Sequence, residues 1–183
     1  MKIVGLVASP RENGNTDTLL QKALDGASFQ GAETSIFYLN DLTIRGCQAC
    51  YGCKKTGKCV VKDDMEEIYE AIDDADAVII GSPIYFGRFT AQLALVMDRL
   101  FAYFKPDFTS SLGKGKKLAL LFTQNQPDPA LYSDCFQSTA EVLTRIGFSE
   151  ESTLLVAAGF ADPSVMEQYK GPAYELGKEL AKP

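Results

Sequence analysis

The sequence contains no histidine, and its charge and hydropathy exclude further classes of protein. Without histidine, Ser-His-Asp and Cys-His catalysis and every His-containing zinc or haem site are excluded. No apolar run approaches the ~20 residues that would span a bilayer, so membrane insertion is not expected. A net charge of −6 disfavours nucleic-acid binding, which depends on Lys and Arg neutralising phosphates. Any chemistry must therefore use cysteine, carboxylate, tyrosine or a cofactor.

Length and the amino-terminal segment predict a single cytoplasmic domain. The 183 residues fit one domain, because domains usually run about 100–200 residues. Residues 1–8 are largely apolar, but this segment is shorter than a secretory signal and no small-residue cleavage site follows it. We therefore expect one domain over residues 1–183, with the first apolar segment as a buried strand.

Five short segments are rich in β-branched and aliphatic residues: Lys2–Ala8, Glu33–Leu39, Ala77–Gly81, Lys117–Thr123 and Ser152–Ala158. Several are nearly continuous in apolar side chains, which is typical of parallel strands covered by helices on both faces. Helical patterns separate them, and Gly171-Pro172 predicts a break between two terminal helices. The alternation predicts an α/β, doubly wound, five-stranded parallel sheet in three α/β/α layers. The flavodoxin-like strand order 2-1-3-4-5 is the common choice.

A polar loop joins the first predicted strand to the first predicted helix, through Ser9-Pro10-Arg11-Glu12-Asn13-Gly14-Asn15-Thr16. Free N–H groups at a helix start attract anions. Short donors come from Ser9, Asn15, Thr16 and Thr18, and Arg11 adds a charged fork, so a phosphate monoester suits the loop. The Walker A and G-x-G-x-x-G patterns are absent. The alternative is that Ser, Asn and Gly only form a turn and cap the helix.

A second loop follows the third predicted strand, with the sequence Gly81-Ser82-Pro83-Ile84-Tyr85-Phe86-Gly87-Arg88-Phe89-Thr90. In doubly wound sheets, ligands bind beyond the carboxyl ends of the strands, near the switch point between strands one and three. A proline-fixed turn with backbone donors and exposed aromatic side chains suits a flat ring. The alternative is that Tyr85, Phe86 and Phe89 are core aromatics.

These loops closely resemble one family over nearly the whole chain. It is the NADPH-dependent FMN reductase family of flavodoxin-like proteins, matched by Ser9-Pro10-Arg11-x-x-Gly14-Asn15-Thr16, Ser82-Pro83-Ile84-Tyr85-Phe86 and Met97-Asp98-Arg99. The resemblance implies FMN, with its phosphate held on the first loop by Ser9, Arg11, Asn15, Thr16 and Thr18. It implies an isoalloxazine ring wrapped by Pro83, Ile84, Tyr85, Phe86 and Gly87. The third wall would be Thr123-Gln124-Asn125-Gln126, where family members are often glycine-rich.

Four of the five cysteines lie within thirteen residues, as Cys47-x2-Cys50-x2-Cys53-x5-Cys59. Four thiolates at this spacing can converge on one iron–sulfur cluster. Two alternatives stay open: a zinc ion, which usually takes two separated Cys-x2-Cys pairs, and free or paired thiols. The surrounding segment, residues 40–63, is longer than the ~4–6 residues of a usual connection, as functional loops often are. Cys135, which stands apart, is interpreted as a packing residue.

The cysteine spacing resembles that of the iron–sulfur flavoproteins, a subgroup of the same family, as does the Asp63-Asp64-Met65 that follows it. The resemblance implies a homodimer or homotetramer in which electrons pass between FMN and a [4Fe-4S] cluster ligated by Cys47, Cys50, Cys53 and Cys59. The expected electron donor is ferredoxin or NAD(P)H, and the expected acceptor is a small molecule such as a quinone. Tyr85 is a candidate proton donor.

Charged residues around the cysteines have weaker interpretations. Asp64 with Glu67 predicts a helix cap, and Arg99 is interpreted as structural. Four lysines surround the cysteines: Lys54, Lys55, Lys58 and Lys62. They are interpreted either as charges that steer an acidic ferredoxin or as solvated loop charges.

Two other functions compete with this prediction. One is an NAD(P)H-dependent FMN or quinone reductase whose cysteines carry no cluster. The other is a non-catalytic FMN-binding or zinc-binding interaction module.

Overall fold

The computed structural model describes residues 1–113, 115–149, 153–160 and 162–182. Its strands and helices follow in the order β1 (Lys2–Val7), α1 (Asn15–Phe29), β2 (Glu33–Tyr38), α2 (Gly52–Thr56), α3 (Met65–Asp74), β3 (Ala77–Tyr85), β4 (Arg88–Phe89), α4 (Ala91–Arg99), β5 (Lys117–Thr123), α5 (Ser133–Ile146), β6 (Thr153–Ala157) and α6 (Met166–Leu180). Short 3-10 helices lie at Leu100–Tyr103 and Pro163–Val165. Ser152, the predicted start of the last strand, lies outside the described residues.

The sheet has five parallel strands in the order β2-β1-β3-β5-β6. This confirms the predicted order 2-1-3-4-5, because β4 is a two-residue strand that pairs antiparallel with the end of β3. Strand β3 continues past the predicted end at Gly81 to Tyr85. Its extension is held by β5, since Ser82 pairs with Phe122 and Pro83 with Thr123.

Helices cover both faces of the sheet, as the continuous apolar strands predict. Consecutive residues of β1 point to opposite faces of the sheet: Val4 packs in one buried cluster and Ile3 in another. The Val4 cluster includes side chains from α3, α4 and α5, and the Ile3 cluster includes side chains from α1 and α6. Between β5 and α5, the rings of Phe122 and Phe136 stack with centroids 4.7 Å apart. This packing gives the three α/β/α layers.

The predicted break at Gly171-Pro172 is wrong, because α6 runs without interruption through both residues. A proline inside a helix removes one backbone hydrogen bond. Here the cost is offset by close packing of α6 on α1. A Cβ atom at Gly177 would lie 1.7 Å from the Ala23 carbonyl oxygen, and a Cβ atom at Gly26 would also meet α6 backbone. Tertiary contact therefore decides the course of the last helix.

Among the residues that the structure describes, no helix is both long and apolar enough to cross a membrane.

Candidate functional site

A cleft of about 280 Å³ opens at the carboxyl edge of the sheet, where β1, β3, β5 and β6 end. It is lined by Ser9, Arg11, Asn15, Thr16, Pro83, Ile84, Tyr85, Thr123, Gln124, Asn125, Gln126, Tyr132 and Phe160. The structure thus brings together most of the residues predicted to hold the cofactor. The three predicted residues outside this lining are Thr18, Phe86 and Gly87.

The first loop presents the start of α1 to the cleft. Gly14 is the N-cap residue and supplies no side-chain hydrogen bond, so the first N–H groups of the helix have no capping side chain. The buried carboxylate of Asp17 holds the loop. It accepts hydrogen bonds from the Asn13 N–H at 2.7 Å and from the Tyr38 hydroxyl at 3.2 Å. Such uncapped N–H groups, with the helix dipole, form an anion site.

Side chains around the start of α1 fall into two groups: those that hydrogen-bond to other described residues, and one that does not. The Ser9 hydroxyl accepts a hydrogen bond from the Arg11 N–H at 3.1 Å, and the Thr16 and Thr123 hydroxyls lie 2.7 Å apart in a buried pair. The second group is the Arg11 guanidinium, which is exposed and makes no hydrogen bond to any residue the structure describes. Arg11 is thus available for bidentate contact with an anion.

Gln124 provides a buried acceptor at the opposite wall. Its Nε2 donates to the backbone oxygens of Gln126, at 3.2 Å, and Asp128, at 2.6 Å. Two carbonyl neighbours fix the orientation of the amide, because only an NH₂ group can donate to both. The Oε1 atom is buried without a partner in the described part of the chain. An unpaired buried acceptor is costly, and a ribityl hydroxyl or ring N–H of FMN would satisfy it, so these residues fit FMN.

An aromatic hairpin forms the outer lip of the cleft. Tyr85, at the end of β3, lines the cleft with 42% of its surface exposed. Phe86 and Gly87 form the turn to β4, with φ values of 51° and 80°, and the Phe86 side chain is fully exposed. Positive φ at both positions is typical of a two-residue hairpin, and it is unusual for phenylalanine. This turn points the Phe86 ring to solvent beside the cleft.

Sequence reasoning missed Asp17, Tyr132 and Phe160. Phe160 follows β6, which ends at the same sheet edge as the other site strands, so the rule for strand ends would have found it. Tyr132 directly precedes α5, and no sequence pattern indicated that it lies against the cleft. Asp17 had the pattern of a first-turn acidic residue, which by itself indicates only a favourable helix dipole interaction.

The four clustered cysteines line a second, small cavity, together with Arg99, Phe101 and their neighbours. Cys47 and Cys50 are exposed, and Cys53 and Cys59 are partly buried; none forms a disulfide. In the described ranges, no three His, Cys, Asp or Glu side chains converge as the ligands of one metal ion. The ligands of an iron–sulfur cluster lie farther apart than the ligands of a single metal ion, since each cysteine binds a different iron atom. The donor chemistry, four thiols around one cavity, fits an iron–sulfur cluster.

A buried ion pair closes the base of the cysteine loop. Arg99, at the end of α4, donates to Asp63 from Nη1 at 2.7 Å and from Nη2 at 3.1 Å. The same guanidinium donates to the backbone oxygens of Arg45 at 2.8 Å and Val61 at 3.3 Å. The Asp63 carboxylate also accepts from the Arg45 N–H at 2.9 Å. Both ends of the loop are therefore held on one side chain.

The pKa values of the pair reflect this arrangement. Burial acts to raise the pKa of Asp63, but hydrogen bonds from Arg99 and from the Arg45 and Met65 N–H groups lower it below its ordinary value. Burial acts to lower the pKa of Arg99, but the Asp63 hydrogen bond and the neighbouring Cys59 raise it above its ordinary value. Both groups stay charged, and the ion pair is intact near neutral pH.

Asp64 lies at the N-cap position of α3, but the prediction that its side chain caps the helix is wrong. Its side chain makes no capping hydrogen bond to α3. The carboxylate instead accepts a hydrogen bond from the Thr43 N–H at 2.6 Å. Asp64 therefore adds a second tie between the two ends of the cysteine loop.

Two of the four loop lysines pair with other groups of the protein, Lys54 at a partly buried position and Lys62 at an exposed one. Lys54 donates from Nζ to the backbone oxygens of Phe101, at 2.7 Å, and Phe104, and its Nζ lies 3.8 Å from the centre of the Phe101 ring. Lys62 pairs with Glu66. Lys55 and Lys58 remain as exposed cations. The interpretation of Lys54 as a freely solvated loop charge is wrong, because that side chain donates to carbonyls after α4. Its role in steering a partner stays a prediction.

The fold and the cleft define the class of protein: a flavodoxin-like, doubly wound α/β protein with an anion site at a helix start and an aromatic hairpin at the sheet's carboxyl edge. Residues 1–125 match the family model described as NADPH-dependent FMN reductase, and the chain belongs to this family.

Individual relatives agree with the family. The chain is 43% identical to an iron–sulfur flavoprotein of Methanocaldococcus jannaschii over 99 residues, which cover 54% of this chain and 51% of the relative. It is 34% identical to an iron–sulfur flavoprotein of Methanosarcina thermophila over 125 residues, which cover 68% and 65%. The matched segments thus span about half to two-thirds of the relatives' own lengths.

A solved structure resembles the fold over its whole length. It is an NAD(P)H:quinone oxidoreductase from Methanothermobacter marburgensis, with a TM-score of 0.81 and 19% identity, covering 100% of this chain and 97% of the other. The similarity supports the flavodoxin-like fold.

Proposed function

We propose that this protein is an FMN-dependent electron-transfer oxidoreductase: a single FMN-binding domain over residues 1–183, with a [4Fe-4S] cluster on the loop at residues 40–63. The observation that carries the proposal is the cleft at the sheet's carboxyl edge, where an uncapped helix start lies opposite a buried acceptor that no described residue pairs with. Family membership supports the same cofactor. Bound FMN supplies the conversion between two-electron and one-electron transfer.

The phosphate of FMN is assigned to the first loop. The helix start at Asn15 and Thr16 offers N–H groups, Ser9 offers a hydroxyl, and Arg11 offers a guanidinium without a partner in the described part of the chain. A dianionic phosphate monoester is favoured there by both the dipole and the hydrogen bonds. Thr18 plays a lesser part, because its hydroxyl faces the Asn13 carbonyl at 3.5 Å and it does not line the cleft.

The ring and ribityl chain of FMN are assigned to the other walls. Pro83, Ile84 and Tyr85 form one wall, and Thr123 and Gln124 form the other. The two walls are held together because β3 and β5 are hydrogen-bonded neighbours. Phe86 and Gly87 act indirectly, by turning the hairpin that presents Tyr85. Protons come from solvent or from Tyr85, since the chain has no histidine.

The cluster is assigned to Cys47, Cys50, Cys53 and Cys59, because all four line one cavity. The two relatives described above carry the name iron–sulfur flavoprotein, which supports this assignment. A one-electron donor such as ferredoxin would deliver to the cluster, and a quinone or other small acceptor would react at the flavin. Assembly as a homodimer or homotetramer is part of the proposal on the resemblance to the iron–sulfur flavoproteins alone.

A binding titration tests the flavin site. Apoprotein should quench FMN fluorescence, and Arg11→Ala should raise the Kd about tenfold to 100-fold, since charged hydrogen bonds contribute about 1.5–3 kcal/mol. Arg145→Ala is the matched control, because Arg145 is exposed on α5, away from the cleft. Equal Kd values for the two variants would remove the phosphate assignment, and absence of FMN binding by the native protein would remove the proposed function.

Iron and sulfide analysis tests the cluster. After anaerobic reconstitution, the native protein should hold about four iron and four sulfide per chain, with a broad visible absorbance. Replacement of any one of Cys47, Cys50, Cys53 or Cys59 by Ser should reduce the iron content by more than half. Cys135→Ser should leave it unchanged, because Cys135 lies on α5 outside the cavity. Equal iron loss in Cys135→Ser would contradict the ligand assignment.

A second candidate function is an NAD(P)H-dependent FMN or quinone reductase without a cluster, which the description of the matching family, NADPH-dependent FMN reductase, supports. Stopped-flow reduction of the flavin separates the two functions. Faster reduction by reduced ferredoxin than by NADPH supports the cluster route. Fast reduction by NADPH in the Cys47→Ser variant supports the second function.

A further inference from the structure

Arg99 is the largest fully buried side chain of the protein's described residues. It lies 1% exposed beneath the cysteine loop, where its fork binds Asp63 and the backbone oxygens of Arg45 and Val61. These partners flank the cysteines on both sides. A buried cation usually needs a partner for each donor, because a buried donor without a partner is destabilising.

One donor of Arg99 lacks such a partner. The Nε atom is buried and makes no hydrogen bond to any described residue, although both Nη atoms do. Arg99 lines the cavity that the four cysteines line. The cavity therefore combines four sulfur donors with a buried cation that has a spare N–H group.

We propose that Arg99 is a positioning residue for the cluster: its fork ties the two ends of the cysteine loop, and its Nε–H donates a hydrogen bond to a sulfur atom of the cavity's occupant. The second half rests on the proposed function, because it requires an iron–sulfur cluster in this cavity. The tie between the two ends of the cysteine loop requires no bound group. With both roles, Arg99 tunes the reduction potential of the cluster, whereas the sequence indicated only a structural role for this residue.

The physical effect has a definite sign. Reduction adds negative charge to the cluster and its sulfur atoms. A buried positive charge and an N–H···S hydrogen bond stabilise that added charge, so they raise the reduction potential. A residue that only held the loop would change loop opening without this electronic effect.

The test compares Arg99→Lys with Arg45→Lys. Lysine keeps the charge, but it cannot form the fork and has no donor at the Nε position. Arg45 is the matched control, because its side chain is exposed and only its backbone joins the network. In the FMN-bound, iron-free protein, Arg99→Lys should speed hydrogen exchange at residues 43–63 about tenfold or more. In reconstituted protein, Arg99→Lys should lower the equilibrium constant for reduction of the cluster about tenfold, which corresponds to a reduction potential about 59 mV lower.

The outcomes distinguish the tie between the two ends of the cysteine loop from the hydrogen bond to sulfur. Faster exchange with a lower potential supports the proposal, and values equal to Arg45→Lys overturn it. Faster exchange with an unchanged potential overturns the sulfur contact. If the native protein takes up no iron, the cluster and the sulfur contact both fail, and the exchange measurement alone decides the tie. If Arg99→Lys fails to bind FMN, Asp63→Asn replaces it: faster exchange and a higher potential are expected, and no change in either overturns the proposal.

Discussion

The cleft and the cysteine loop are built in different ways. The cleft lies where four strands of one sheet end, and its walls are joined by β3–β5 pairing and by the buried Thr16–Thr123 contact. The cysteine loop contains no strand and only the five-residue helix α2. Its two ends are held mainly by the carboxylates of Asp63 and Asp64 and by Arg99. Sheet architecture positions one site, and a few buried charges position the other.

This difference predicts different responses to substitution. Contacts at a strand end are supported by the whole sheet. Removal of one polar group from the cleft should therefore lower the affinity for FMN more than it disturbs the backbone of the cleft loops. The contacts at the loop base centre on one buried ion pair, and removal of only one partner of such a pair is strongly destabilising.

The largest effect is expected for Asp63→Ala, which leaves the buried Arg99 without its counter-ion. The free energy of unfolding should fall by about 3–5 kcal/mol. Lys62→Ala breaks an exposed pair with Glu66 in the same segment and should cost about 0–1 kcal/mol. Urea unfolding of both variants measures the difference. Similar losses for the two would show that the buried pair does not hold the loop.

Acid should remove part of the same contribution. The pKa of Asp63 is lowered in the folded protein, so its stabilising effect is complete above the ordinary aspartate pKa of about 3.9. It is lost as pH falls below that value, through the lowered folded pKa. The stability difference between the native protein and Asp63→Asn should therefore shrink in acid. Urea titrations at pH 7 and in progressively stronger acid measure it, and a constant difference would contradict the assignment.

Gln124→Met should have an intermediate effect, centred on the cleft. Methionine leaves the backbone oxygens of Gln126 and Asp128 without their donor, which should cost about 1–3 kcal/mol. FMN affinity should also fall, because the Oε1 acceptor is lost. Gln137→Met is the control, since that side chain is exposed on α5 and does not line the cleft. Thermal unfolding with and without FMN measures both, and equal behaviour of the two variants would refute the role of Gln124.

The smallest effect is expected for Lys54→Met. It removes two hydrogen bonds to backbone oxygens and the contact with the Phe101 ring. The cost should be about 1 kcal/mol, or about 2–4 °C in Tm. Lys55→Met, at the exposed neighbouring position, should change Tm by less than about 2 °C. If Lys55→Met is the more damaging variant, Lys54 does not join the loop to the end of α4.

Periodicity and loop chemistry in the sequence were enough for several conclusions. Continuous apolar strands predicted a covered parallel sheet, and the structure confirms the order of its strands. Polar residues after β1 and aromatic residues after β3 meet at one edge because parallel strands share a direction. The cysteine spacing indicated a common cavity, which all four residues line.

Other features depended on contacts between distant residues. Pro172 stays inside α6 because glycines let α6 approach α1 closely. Lys54 turns inward because carbonyls of Phe101 and Phe104 lie beneath the loop. No local pattern predicts either result, since both compare a local preference with packing that forms only in the folded chain.

The sequence by itself therefore determined the sheet, its strand order and the residue types gathered at its carboxyl edge, because these follow from local periodicity and chain direction. Only the tertiary structure decided that, among the described residues, no group pairs with the buried Oε1 of Gln124 or the buried Nε of Arg99. Whether a polar atom is satisfied depends on every neighbour around it, and those neighbours come from segments far apart in the chain.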